Sequence, residues 1–217
     1  PQKWLRRFSK FTVFSTLFLI FLGALVKSHE VGLSVPDWPT TYGYNMFTFP
    51  LNDMVGGIFY EHSHRLFASF VGMLTIILAG WIRFVEKRKW VKKLGYLALG
   101  LVILQGIFGG ITVLFFLPTM ISMMHGIIAQ SFLLILILIA FSLSAEYLRT
   151  NKIENTKNLV KVIRWSQVTF IIIFIQLILG AWVRHINAGL AIPDFPTVGW
   201  SWTPKINEYT LQKINDW

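Results

Sequence analysis

Two short clusters in this sequence carry side chains suited to metal or proton chemistry. The first is Tyr60-Glu61-His62-Ser63-His64-Arg65, set against an apolar run over 66–85; the second is Ser122-Met123-Met124-His125-Gly126, at the mouth of another such run. Ionisable groups are costly to place at the mouth of a membrane helix, so they mark a site there. A neutral imidazole nitrogen ligates haem iron well, and two imidazoles on facing helices of a bundle can hold one six-coordinate haem. His64 and His125 are the candidate pair. A lone histidine in such a place reads more simply as a helix-end anchor bonded to headgroups or loops. Matched depth, and small residues on the following turns (Ala68, Gly72, Gly126, Ala129), favour ligation over anchoring without deciding it.

Glu61 stands three residues before His64, on the same helical face one turn away. It could orient the imidazole, take a proton or contact the edge of a bound macrocycle. It could equally be an N-terminal carboxylate complementing a helix dipole. Arg65 could reach the propionates of a haem opening outward, or snorkel to phosphate headgroups. His62, two residues from His64, points elsewhere on the helix and is expected to be an exposed loop histidine. A copper or zinc site with Glu61 and His29 is the alternative. Gly106 and Gly110, with Gly109 beside them, would let another helix or a flat ring approach closely, close helix packing being the simpler reading.

The elements that must position these groups are membrane helices. The chain has 217 residues, 54% of them hydrophobic and 14% charged, with a mean hydropathy of +0.59. That is more apolar surface than a water-soluble core of this length absorbs. Five runs, over 11–26, 66–85, 94–117, 121–148 and 162–183, are long enough to cross about 30 Å of hydrocarbon as helices. No cleavable signal pattern precedes the first, so it is expected to be a retained span. The sequence contains no cysteine, which excludes disulfides, thiolate metal sites and iron–sulfur clusters within these residues.

A net charge of +10 is a topology signal here rather than a nucleic-acid footprint, because the basic residues lie between apolar runs. Lys3, Arg6, Arg7 and Lys10 precede the first run. Arg83, Lys87, Arg88, Lys89, Lys92 and Lys93 follow the second, and Arg149, Lys152, Lys157, Lys161 and Arg164 follow the fourth. Lys27, Arg65, Arg184, Lys205 and Lys213 fall on the other side. The amino terminus is therefore expected in the cytoplasm, with both long loops outside and both histidines at outer helix ends.

The chain also repeats itself at an offset of about 157 residues. Gly23-Ala24-Leu25-Val26-Lys27 matches Gly180-Ala181-Trp182-Val183-Arg184. Gly32-Leu33-Ser34-Val35-Pro36-Asp37-Trp38-Pro39-Thr40 matches Gly189-Leu190-Ala191-Ile192-Pro193-Asp194-Phe195-Pro196-Thr197. The fifth helix is thus a second copy of the first. The expected fold is an all-α integral membrane protein. Residues 1–150 form a four-helix transmembrane bundle with an outer loop over 27–65. Residues 151–217 supply a cytoplasmic connection, a fifth helix beginning a pseudo-symmetric second bundle, and a second outer loop. The counterpart of His64 would fall just beyond Trp217, so either these residues are part of a longer chain or the second bundle has been lost.

The motif over 32–39, Glu61-x-x-His64-Arg65, Gly109-Gly110-Ile111-Thr112-Val113 followed by His125, and the repeated motif over 189–196 together resemble the haem A synthase family over nearly the whole chain. The resemblance implies an eight-helix bacterial inner-membrane enzyme of two four-helix bundles that oxidises the C8 methyl of haem O to the formyl of haem A. It implies that His64 and His125 hold the substrate haem, that a second histidine pair holds a haem b cofactor, and that Glu61 is needed for the oxidation. Haem O synthase, a terminal oxidase, a second copy of the chain and membrane lipid are the partners it suggests. Members often carry a cysteine pair in the first outer loop; residues 35–42 have none, so a redox role does not carry over to this loop by resemblance. A b-type haem-holding or electron-transfer subunit, and a pure assembly partner, are the rival readings.

Overall fold

The computed structural model describes residues 2–149, 157–186, 188–190, 197 and 201–203. Its helices are α1 (Gln2–Ser28), α2 (Gly56–Val85), α3 (Lys89–Leu114), α4 (Thr119–Ser142), the short α5 (Ala145–Arg149) and α6 (Lys157–His185). Five of them are long and apolar enough to span a membrane, and the described residues include no strand. The chain is an all-α, multi-pass membrane protein. Most of the segment joining α5 to α6, and the repeated motif from 191 to 196, lie outside the described residues.

Around the bundle α1 packs on α2, α2 on α3, α3 on α4, and α4 back on α1. This cyclic order puts α2 and α4 on a diagonal. α6 packs along α4, and Arg184 Nη2 donates to the Ser28 hydroxyl of α1 at 3.2 Å. The buried core lies at the end holding the amino terminus. It gathers Leu5, Val71, Leu78, Ile82, Val91, Ala98, Phe132, Leu136 and Ile139. α1 joins it through a stripe of small polar residues, Ser9, Thr12 and Thr16, all buried. Thr12 and Thr16 return their hydroxyls to carbonyls four residues back in their own helix. Phe11, Phe14, Phe18 and Phe21 point outward. Small residues inside and large apolar ones outside is the pattern a lipid solvent imposes, because tight packing rather than burial of oil draws the helices together.

Most helices outrun their apolar runs, α1 beginning at Gln2 rather than 11 and α3 at Lys89 rather than 94; two of the differences have a visible cause. α2 starts at Gly56, ten residues before Leu66, so the Tyr60 to Arg65 cluster belongs to the helix and not to the outer loop expected over 27–65. Charge did not stop the helix because Glu61 and Arg65 pair with each other one turn apart, Oε1 to Nη2 at 2.6 Å. At the other end α4 stops at Ser142 instead of running to Leu148. There Arg88 Nη1 donates to the Ser142 carbonyl at 2.9 Å and Arg6 Nε to the Leu143 carbonyl at 2.8 Å. Two cationic side chains thus satisfy carbonyls that the broken helix leaves unpaired.

Candidate functional site

The site is built at the end of the bundle opposite the packed core, where the first loop folds back onto α2. Asp37 organises that loop: its carboxylate accepts the Thr40 hydroxyl and the backbone N–H groups of Tyr42 and Gly43. Burial pushes the Asp37 carboxyl up, but these donors outweigh it and leave the group below the usual carboxylate range. Tyr42 and Gly43 both take left-handed backbone, at φ 50° and 80°. The resulting turn aims its carbonyls at α2.

Arg65 collects them. Nη1 donates to the Asp37 carbonyl at 2.7 Å and the Thr40 carbonyl at 3.2 Å, and Nη2 donates to the Val35 carbonyl at 2.7 Å. Glu61, 3% exposed, takes the Val35 N–H on Oε2 at 2.8 Å and Arg65 on Oε1. The ion pair therefore fastens loop to helix, and both carboxylate oxygens of Glu61 are engaged. His62 is a correction to the expected exposed loop histidine. It is 1% exposed, with Nδ1 3.0 Å from the Thr41 hydroxyl and its ring against Phe49. The helical period does turn it away from His64, but the loop covers that face. His29 instead stacks on Tyr60, and no cluster of three metal-ligating side chains forms among the described residues.

His64 and His125 stand on α2 and α4, the two helices of the diagonal, and both are partly buried. Nδ1 of each ring is buried and has no hydrogen-bond partner. Each ring rests on a glycine of a neighbouring helix. A Cβ on Gly23 of α1 would lie 3.0 Å from His64 Cε1, and one on Gly109 of α3 would lie 3.5 Å from His125 Cε1. The two histidines also share a depth. Seven residues toward the core from each stands a fully buried side chain, Val71 on α2 and Phe132 on α4. Over the intervening stretches, 64–70 and 125–131, every residue is only partly buried, so this half of the bundle is incompletely filled.

These features fit a flat ligand with a metal at its centre. Two buried imidazoles that no protein group engages at Nδ1 could be held through a ring nitrogen by an iron between them, glycines beside the rings leave them room, and the loose half-bundle offers the volume.

Three residues absent from the expectations complete the surroundings. Gln105 Nε2 donates to the His125 carbonyl at 2.9 Å, tying α3 to α4 beside the ligand candidate. The Trp38 ring covers Gly110, where a Cβ would come within 2.7 Å of it. Gly23 is the third. An amide within the apolar run over 94–117 was the signal for Gln105; Gly23 and Trp38 carried none beyond belonging to the repeat. Gly106, paired with Gly110 in the sequence reading, meets no other side chain or helix; the close approaches are at Gly109 and Gly110.

No solved structure matches the chain. Among curated proteins it is similar to the heme A synthases of Shouchella clausii (29% identical, covering 94% of this chain and 67% of that protein), Alkalihalophilus pseudofirmus (30%, 90% and 64%) and Shewanella oneidensis (26%, 92% and 62%). The chain spans about two thirds of the length of these relatives. The COX15-CtaA family, described as cytochrome oxidase assembly protein, matches residues 6–216. That match takes in both histidine-bearing helices, the folded first loop and α6, and with it the chain belongs to the COX15-CtaA family of cytochrome oxidase assembly proteins.

Proposed function

We propose that these residues form the haem-substrate half of a haem A synthase. The observation that carries the reading is the pair of buried, unpartnered imidazole nitrogens at one depth on diagonal helices. His64 and His125 hold the iron; Gly23 and Gly109 seat the two rings; Trp38 and the loop fastened by Arg65 keep water from that end. The porphyrin iron, when bound, supplies the oxidising chemistry by which the C8 methyl of haem O becomes the formyl of haem A. Glu61, one turn from His64, is the site's acid/base or substrate-contacting carboxylate, and its pairing with Arg65 sets where it stands. Arg65, its terminal nitrogens held by the loop, serves a bound propionate mainly by keeping the roof in place.

The orientation we propose puts the amino terminus in the cytoplasm of a bacterial inner membrane and this site at the outer face, following the basic residues. A haem b on a second histidine pair belongs to the second bundle, which α6 begins. Haem O synthase, a terminal oxidase and a second copy of the chain are the proposed partners.

Engagement of both Glu61 oxygens favours one rival, a haem-holding subunit without oxidation. Extraction of pigments from membranes supplied with haem O separates the two. Haem A appearing in parent membranes, and absent with Glu61→Gln, supports the synthase; haem b alone, unchanged by Glu61→Gln, supports the rival.

A further inference from the structure

Among the described residues, three buried side-chain nitrogen or oxygen atoms lack a hydrogen-bond partner: His64 Nδ1, His125 Nδ1 and Ser122 Oγ. The first two belong to the site already described. Ser122 is unexplained, and it stands three residues before His125 as Glu61 stands three before His64. It therefore lies on the His125 face, one turn nearer the loop end of the bundle.

A serine in a membrane helix has an easy way to satisfy its hydroxyl, which is the carbonyl four residues back. Thr12, Thr16, Ser69, Thr75 and Ser131 all take it here. Ser122 does not: the Pro118 carbonyl accepts only the Ser122 backbone N–H. Burying a hydroxyl without a partner is unfavourable, and native interiors hold few such groups. A group bound beside His125, one turn away on the same face, is within reach to supply the missing partner.

We propose that Ser122 is a binding residue for a porphyrin carboxylate, its hydroxyl donating to a propionate of the haem held by His64 and His125. The inference rests on the haem site proposed above. The half-bundle around the histidines is bounded by Val71 and Phe132 on the core side, where an apolar edge would sit, and by Arg65 and the loop's polar backbone on the other, where carboxylates would sit. Ser122 lies one helical turn from His125 toward that polar end. A hydroxyl facing a carboxylate makes a charge-assisted bond, stronger than one between neutral groups.

The test uses the full chain, purified in detergent and freed of haem, titrated with protohaem and with its dimethyl ester while the Soret band is followed. Esterifying the carboxylates removes the charge that strengthens the Ser122 bond, leaving only a neutral ester carbonyl as acceptor, and leaves iron ligation intact. Ser122→Ala is expected to weaken protohaem binding roughly tenfold and ester binding much less, with Ser122→Thr restoring the preference. Equal affinity of parent and Ser122→Ala for protohaem would overturn the proposal. So would equal losses for acid and ester, which would make the hydroxyl structural. A parent Soret band indifferent to His64→Ala and His125→Ala would overturn the site itself, a failure distinct from that of Ser122.

Discussion

The seat under His64 gives the sharpest perturbation, because two glycines in equivalent roles differ in how much room they leave. An alanine Cβ at position 23 would stand 3.0 Å from His64 Cε1, whereas one at position 109 would stand 3.5 Å from His125 Cε1. Carbon atoms settle at about 3.5–4.0 Å. Gly23→Ala must therefore push the imidazole back by roughly half an ångström, and Gly109→Ala need move nothing. Overpacking of this kind costs about 1–3 kcal/mol, which at about 1.4 kcal/mol per decade is roughly fivefold to a hundredfold in affinity. Alanine is the better helix former by about 1 kcal/mol, so the fold itself should change little in either variant. Optical and electron-paramagnetic-resonance spectra of the purified proteins, with haem titrations, read the difference. Gly23→Ala should shift the low-spin signal and weaken haem binding roughly fivefold to a hundredfold, and Gly109→Ala should match the parent. Identical behaviour of the two variants would refute the reasoning.

Two further outcomes follow from groups outside the ligand pair. His62→Ala removes a buried ring and strands the Thr41 hydroxyl, so it should destabilise by about 1–3 kcal/mol while the haem stays low-spin. Thermal unfolding followed beside the spectrum checks both halves. At the opposite end of the bundle, Arg88 donates to Glu86 through Nε and Nη2 and holds its carboxyl at about 2, against an ordinary 4.5. Between those values the unfolded chain binds more protons than the folded one. The stabilisation is thus complete above about pH 4.5 and lost as pH falls toward about 2. Unfolding temperature in detergent should decline through that window, and Glu86→Gln should flatten that part of the decline.

Hydrophobic runs sufficed to count the five spans, because each must satisfy its backbone within itself in lipid. They misplaced the start of α2 by ten residues, since a run of apolar letters ends where charge begins, whereas a helix continues if Glu61 and Arg65 neutralise each other. His64 and His125 were legible as a pair because helix direction and span order fix relative depth. The burial of His62 was not, for it depends on Thr41, 21 residues away in sequence, and on Phe49 arriving from the same loop. Small residues announced that something approaches α3 closely; that it is the His125 ring at Gly109 and the Trp38 ring at Gly110 is a long-range fact. Ser122 looked ordinary because an unpaired hydroxyl is visible only once every possible partner has been placed.

Iron ligation by the α2–α4 diagonal is tested most directly by the spin state of the bound haem in single histidine variants of the full chain. His64→Ala and His125→Ala should each convert a six-coordinate, low-spin spectrum to high-spin or lose the pigment altogether, with His62→Ala as the low-spin control. A low-spin spectrum surviving unchanged in either of the first two variants would contradict the account.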